Sequence, residues 1–273
     1  MHELLTWHAA HGRDLPWRRT RDPWAVLVSE LMLQHTQVPR VAPRYEAFMT
    51  RFPTARVCAA SPVGDVIAAW AGLGYNRRAV NLHRAAGVVV ARHGGRLPDD
   101  LDALLELPGV GPYTARAVLA FAFGRDVTPL DVNTARPLAR AFGARTQTEA
   151  DRRVAPGRGW AWNQALMDLG ATVCTRRAPA CDACPLAGEC DWRARGRPAP
   201  DPAAPAGRQS RFSGSDRQGR GRLVDALRRG PLPFAAVPGA AGWPDDRCRA
   251  ERVAAGLVDD GLAALDDCGL RLP

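Results

Sequence analysis

Apolar positions from His2 to Trp192 recur in a helical rhythm, and no strand-like alternation persists. Leu27, Leu31, Ala42 and Phe48 sit among helix formers. Pro16, Pro53, Pro62, Gly72, Gly74 and Pro98 cut the pattern into short helices. Ala115, Val118, Leu119, Ala122 and Phe123 share one helical face. From Arg193 the text becomes RARGRPAPDPAAPAG, the composition of a linker, which we place over 196–210. Beyond it, Leu223, Val224 and Leu227 predict the inner face of a short helix over 221–229. Ala250, Val253, Ala254, Leu257 and Val258 follow the i, i+3, i+4, i+7, i+8 pattern of another. Leu262 to Leu272 reads as a hairpin turning over 266–269. Helices followed by a hairpin predict a winged-helix-like region over 211–273 behind an all-α body.

Composition narrows the class. Among 273 residues, 46% are apolar and 24% charged, which fits a globular chain and not a disordered one. No apolar run approaches the ~20 residues of a membrane span, and the N-terminus lacks the pattern of a signal peptide. The expectation is a cytoplasmic protein with no membrane partner. The formal charge of +9 suits a polyanion, with nucleic acid the first candidate. All 37 cationic residues are arginine, so no lysine amine is present for Schiff-base chemistry.

Four segments carry candidate chemistry. In LELPGVGPYTARAVLAFAFG, the turn Pro108-Gly109-Val110-Gly111 joins two helical stretches. Its glycines permit close approach of another chain, and the N–H groups at the next helix start suit a phosphate. The plainer reading is a corner between helices, but the full LPGVGxxTA string resembles the helix-hairpin-helix element of base-excision DNA glycosylases.

In PLDVNTARPLARAFG, Asp131 precedes a helical pattern. It reads either as an N-cap or as a carboxylate kept ionised at a helix start, with Asn133 orienting it toward a sugar cation. Pro137 is awkward for that helix and is expected to shorten or kink its first turns. In WAVLVSELMLQHTQV, Glu30 neighbours Val26, Leu27, Leu33 and Gln34 at helical spacing. It is either an edge residue reaching solvent or a partly desolvated carboxyl, raised in pKa and fit for general-acid work. Gln34, His35 and Gln37 follow on the next turn. Two such carboxylates are the equipment of a glycosidase. Finally, Cys174, Cys181, Cys184 and Cys190 stand in the spacing C-x6-C-x2-C-x5-C. That spacing points to a metal site and leaves zinc and an iron–sulfur cluster both open.

The ordered strings DLPWR, SELMLQHTQV, RYEAFMTRFPT, AGLGYNRRAVNLHRAA, LPGVGPYTARAV, LDVNTAR and NQALMDLGATVCTRRAPACDACPLAGEC resemble bacterial adenine DNA glycosylases of the MutY type, relatives of endonuclease III. The resemblance spans roughly Leu15 to Cys190. It implies a two-lobed helix-hairpin-helix glycosylase over 1–195, with a helical barrel lobe over 23–133. An iron–sulfur lobe would be built from 1–22 and 134–195, with DNA in the cleft between the two.

The same resemblance implies that Cys174, Cys181, Cys184 and Cys190 hold a [4Fe–4S] cluster. Glu30 is then the general acid that protonates adenine. Asp131 stabilises, or covalently traps, the sugar cation, with Tyr113 and Asn133 assisting. Tyr113 stands where bifunctional relatives carry a lysine, so the chain is expected to be monofunctional. Arg18 would approach the flipped base. Gln34, His35, Tyr75, Gly109, Val110 and Gly111 would meet the DNA. The implied partner is double-stranded DNA carrying adenine opposite 8-oxoguanine or guanine, bound by a single chain.

Three features differ from the usual family text. His35 stands for the second Gln of LQQTQV, Asn76 stands for the second Tyr of GLGYY, and a short tail replaces a larger Nudix-type domain. The tail segment from Arg211 to Arg228 resembles that of actinobacterial members. The alternatives are a thymine or uracil mismatch glycosylase of the same fold, and a non-catalytic DNA-binding protein.

Overall fold

The computed structural model describes residues 2–203 and 211–273. Within 2–203 every regular element is helical. In chain order these are α1 (His2–His11), α2 (Pro23–Leu33), α3 (Val38–Arg51), α4 (Ala55–Ala60), α5 (Val63–Ala69), α6 (Arg77–His93), α7 (Leu101–Leu105) and α8 (Pro112–Phe121). They continue as α9 (Val132–Phe142), α10 (Gln147–Asp151), α11 (Gly159–Thr172) and α12 (Asp191–Ala194). The last region adds α13 (Asp216–Leu227), α14 (Val237–Ala241) and α15 (Arg247–Asp259). It also holds three short strands, β1 (Leu232–Pro233), β2 (Ala264–Asp266) and β3 (Gly269–Arg271).

The described residues cluster into two compact units. One contains those of 1–27, 99–106 and 110–208. Its core gathers Leu4 of α1, Leu138 and Ala141 of α9, Trp162, Ala165, Leu166 and Leu169 of α11, and Leu186 from the cysteine loop. The other contains those of 28–98, 107–109 and 209–273. At its centre Phe48 of α3 meets the Trp70 ring edge-on, with centroids 5.8 Å apart, and Phe52 at 4.8 Å. All three rings are fully buried. The C-terminal residues thus fold onto the same unit as α3 to α6.

That C-terminal region has the expected order of helices and hairpin. β2 and β3 pair antiparallel, with Asp266 opposite Gly269, and β1 adds on the far side of β3. The turn falls at Asp267-Cys268, inside the expected span. α13 starts earlier than the apolar pattern suggested, because Ser215 caps it by accepting from Gln218 N–H. Its first turns, Asp-Arg-Gln-Gly-Arg-Gly, carry no apolar stripe, so periodicity could not reveal them. Gly219 is buried there because a Cβ would collide with the Trp243 ring.

Two other expectations need adjustment. α8 ends at Phe121, so Ala122 and Phe123 fall outside it and are only half-buried. α9 starts at Val132 directly after its cap and continues past Pro137 to Phe142, so the proline neither shortens its start nor ends it. Pro137 removes the N–H that would serve the Asn133 carbonyl, four residues back. α11 comes close at that carbonyl: a Cβ at Gly170 would collide with Asn133 O. The segment expected as a linker starts anchored to the first unit. Trp192 Nε1 donates to Pro198 O at 3.0 Å, and the Arg140 guanidinium pairs with Asp201. Residues 204–210, the rest of that linker, lie outside the described residues.

Candidate active site and cysteine loop

Asp131 is the N-cap of α9, in extended backbone. Its Oδ1 accepts the N–H groups of Asn133 at 2.9 Å and Thr134 at 2.8 Å. Its Oδ2 accepts the Asn133 side-chain amide at 3.0 Å. Thr134 Oγ1 returns the bond by accepting Asp131 N–H at 2.9 Å, closing a capping box. The plainer reading of Asp131 as a cap therefore holds, and the same bonds fix the carboxylate at a helix N-terminus, where an anion is favoured. Asn133 is held in turn, because Arg136 Nη2 donates to its Oδ1 at 3.2 Å.

Glu30 does not sit at the edge of a stripe. α2 is buried on every side from Trp24 through Met32, so it is an interior helix and not an amphipathic one. Glu30 is only 6% exposed, and Ser29 beside it is 1% exposed. Glu30 belongs to one compact unit; Asp131, Asn133 and Tyr113 belong to the other.

After α2 the chain turns at His35, whose φ of +56° is left-handed. Tyr75, in the loop between α5 and α6, is also left-handed at φ +45°. The two rings face each other, 5.3 Å apart and tilted by 34°. Neither is a glycine, so each conformation is held against a steric cost. The holding group is Arg78 on α6, which the sequence reading missed. Its Nη1 donates to the carbonyls of Leu31, Met32 and Gln34 at 2.7, 2.9 and 2.5 Å. Its Nη2 donates to Thr36 Oγ1 at 3.0 Å and to the carbonyls of Leu73 and Gly74 at 3.3 and 3.0 Å. Its Nε reaches Tyr75 O at 3.3 Å. One buried guanidinium thus satisfies the C-terminal carbonyls of α2 and the Tyr75 loop together. Burial lowers its pKa to about 10, still charged at neutral pH. An arginine just inside a helix after a glycine-rich loop is the only trace of this in the sequence.

The hairpin from Leu107 to Gly111 leads into α8, which starts with Gly111 as N-cap and Pro112 in its first turn. Gly109 is left-handed at φ +81°, and a Cβ there would lie 2.8 Å from Asn81 Cβ of α6. Gly109 is exposed and Val110 buried. Tyr113 lies in the first turn of α8 and is half-buried.

Arg18 is committed elsewhere than a free approach to a base. Its Nη1 and Nη2 donate to Asp168 Oδ2 and Oδ1 of α11, both at 2.8 Å. Arg13 adds its backbone N–H at 3.0 Å and its Nε at 2.6 Å, and His8 Nε2 lies 3.3 Å away. Burial alone would push Asp168 up. The His8 and Arg18 contacts and the Arg13 N–H outweigh it and hold the carboxyl far below the usual range.

Cys174, Cys181, Cys184 and Cys190 line one pocket with Leu169, Val173 and Leu186. None forms a disulfide. Burial, and then the neighbouring Cys174, Cys190 and Cys181, push the Cys184 thiol up to about 11 against the Leu186 N–H, which lowers it. Arg140 Nη1 donates to Cys174 Sγ at 3.5 Å and to Thr175 O at 2.8 Å, and the same guanidinium lies over the Trp192 ring. Among the described residues no three His, Cys, Asp or Glu side chains converge tightly enough to grip a single ion. Among them, too, no helix is long and apolar enough to cross a membrane.

Comparison with known proteins agrees with this helical architecture. Residues 28–156 match the family described as HhH-GPD superfamily base excision DNA repair protein. The chain is 42% identical to the adenine DNA glycosylase of Mycolicibacterium smegmatis over 95% of its own length and 91% of the relative's. It is 41% identical to that of Mycobacterium tuberculosis H37Rv, over 95% and 88%. Among solved structures, a thermostable thymine-DNA glycosylase superposes with a TM-score of 0.67 at 32% identity, over 71% of this chain and 94% of that one. These matches define a helix-hairpin-helix DNA glycosylase of base-excision repair. The chain belongs to the adenine DNA glycosylase family.

Proposed function

We propose that this glycosylase removes adenine mispaired with 8-oxoguanine or guanine in double-stranded DNA, by hydrolysis and without strand cleavage. Glu30 donates a proton to the base, at N7 by the family resemblance. The bond between C1′ and N9 then breaks, and its electron pair leaves with adenine. Asp131 faces the positive charge left on the sugar, with Asn133 and Tyr113 around it. Water adds to C1′ and loses a proton, leaving an abasic site. The observation that carries this reading is the Asp131 carboxylate, fixed by three N–H donors at the start of α9. Such preorganisation favours a developing cation without reorganisation cost. A Glu30 withdrawn from water supports its role as proton donor. The absence of lysine supports hydrolysis over lyase chemistry.

The DNA is engaged by the Gln34–His35 turn, by Tyr75 and by the hairpin from Gly109 to Gly111. Binding is expected to weaken steeply with salt. The donor set of four cysteines around one largely apolar pocket fits a [4Fe–4S] cluster. When bound, that cluster supplies a cross-link between Cys174 and the segment from Cys181 to Cys190. Residues 211–273 form a winged-helix-like region beyond the linker.

Removal of thymine or uracil opposite guanine is the second reading, favoured by the structural likeness to a thymine-DNA glycosylase. Single-turnover base release decides between them, on duplexes with A opposite 8-oxoguanine, A opposite G, T opposite G, U opposite G and A opposite T. Alkali-dependent cleavage of the adenine strand in the first two is the expected result. Release of T or U alone would overturn it in favour of the second reading.

A further inference from the structure

The loop carrying Tyr75 lies between the end of α5 and the start of α6. Gly72 (φ +81°) and Gly74 (φ +69°) take left-handed backbone freely, but Tyr75 (φ +45°) does so at a steric cost, so neighbours must hold it there. Arg78 imposes it from within the body. A second arginine reaches it from the C-terminal region. Arg228, just past α13, donates from Nη2 to Asn76 Oδ1 and to Ile67 O, both at 2.9 Å, and from Nε to Ile67 O at 3.2 Å. Its Nη1 is held by Asp225 at 2.5 Å, and its side chain is only 10% exposed.

Further contacts bind the same region to the helices flanking the loop. Gly64 of α5 donates its N–H to Pro273 O at 2.9 Å. Arg77 of α6 pairs with Asp260 at 3.3 Å. Gly261 sits against Val80 and Arg84 of α6. The arginines of α15 are largely spent within the region: Arg249 and Arg252 pair with Asp216, and Arg247 with Glu251.

We infer that Arg228 is a positioning residue, through which the C-terminal region holds Asn76 and thereby the Tyr75 loop in the shape that engages DNA. The C-terminal region acts on the chemistry by bracing this loop. The consequence for base release rests on the proposed role of Tyr75; the bracing itself does not.

The test uses the full chain as wild type, Arg228→Ala, Asn76→Ala, Asn76→Asp and Arg228→Ala/Asn76→Ala. Single-turnover release of adenine opposite 8-oxoguanine, affinity for undamaged duplex, thermal midpoint and amide exchange over 72–78 are measured on each. Arg228→Ala and Asn76→Ala each slow release about tenfold, and the double variant is no slower than Arg228→Ala, as a shared contact requires. Asn76→Asp keeps an acceptor for Arg228 and recovers most of the rate. Exchange over 72–78 is faster in Arg228→Ala. Additive losses, unchanged rates, or an Asn76→Asp no better than Asn76→Ala would each overturn the inference. Should Arg228→Ala fail to melt cooperatively, the Asn76→Ala and Asn76→Asp pair decides. A wild type that releases no adenine defeats the proposed function instead, and the exchange measurement still decides the bracing.

Discussion

The Asn133 side-chain amide donates to Asp131 Oδ2 while Asp131 Oδ1 takes the backbone N–H groups of Asn133 and Thr134. Cap and candidate catalyst are therefore one carboxylate, and substitutions separate the two roles. Asp131→Asn keeps an N-cap side chain and is expected to melt within about 1 kcal/mol of wild type. Its base release should fall about 10²–10³-fold, because the charge facing the sugar is gone. Asp131→Ala should lose the cap as well, about 1 kcal/mol more. Glu30→Gln should lose about 10²–10⁴-fold in rate with duplex binding intact. Full rates in both Glu30→Gln and Asp131→Asn would move the catalytic roles to other residues, whereas duplex binding with no base release even by the wild type would make the chain a DNA-binding protein without catalysis.

Asp168 supplies an acid-limb prediction. Its folded carboxyl titrates far below the ~3.9 of an unfolded aspartate. Its contribution is therefore fully present above pH ~4 and is lost as pH falls from there toward the folded value. Asp168→Asn should flatten that part of the stability curve. At neutral pH it should cost about 3–5 kcal/mol, because Arg18 is left buried without its partner. Chemical denaturation from pH 3 to 7 reads both effects, and an unchanged acid limb would place the titration elsewhere.

Arg78 binds seven acceptors that a lysine ammonium cannot span. Arg78→Lys should lose about 2–4 kcal/mol in denaturant unfolding. Amides near His35 and Tyr75 should exchange faster, since both left-handed turns lose their common anchor. A variant as stable as wild type, with the same exchange pattern, would show that the loops hold themselves.

The cysteine pocket is tested by composition. Protein purified without oxygen should carry about four irons per chain, and Cys184→Ala should lose them. Stoichiometric zinc would replace the cluster with a single-ion site. Arg140→Met, which removes the donor to Cys174 Sγ, should shift the reduction potential of the bound cluster while leaving the iron count unchanged.

Much of this architecture was legible locally. The Asp131 cap, the Gly109–Gly111 hairpin, the inward faces of α13 and α15 and the β2–β3 turn all depend on neighbours a few residues apart. The start of α13 was missed because a capped but polar helix has no apolar period. Pro137 was misjudged because its cost depends on what serves the Asn133 carbonyl, and α11 packs against that carbonyl.

By itself the sequence determined the helical class, the four-cysteine spacing, the two carboxylates and the absence of lysine, since these are properties of residue identity and short-range periodicity. Only the tertiary structure decided that α2 is buried on all sides, that Arg18 is committed to Asp168, and that Arg78 and Arg228 hold the Tyr75 loop. The physical reason is that an arginine's value depends on which carbonyls and carboxylates surround it. In this chain those acceptors come from positions as many as 161 residues away.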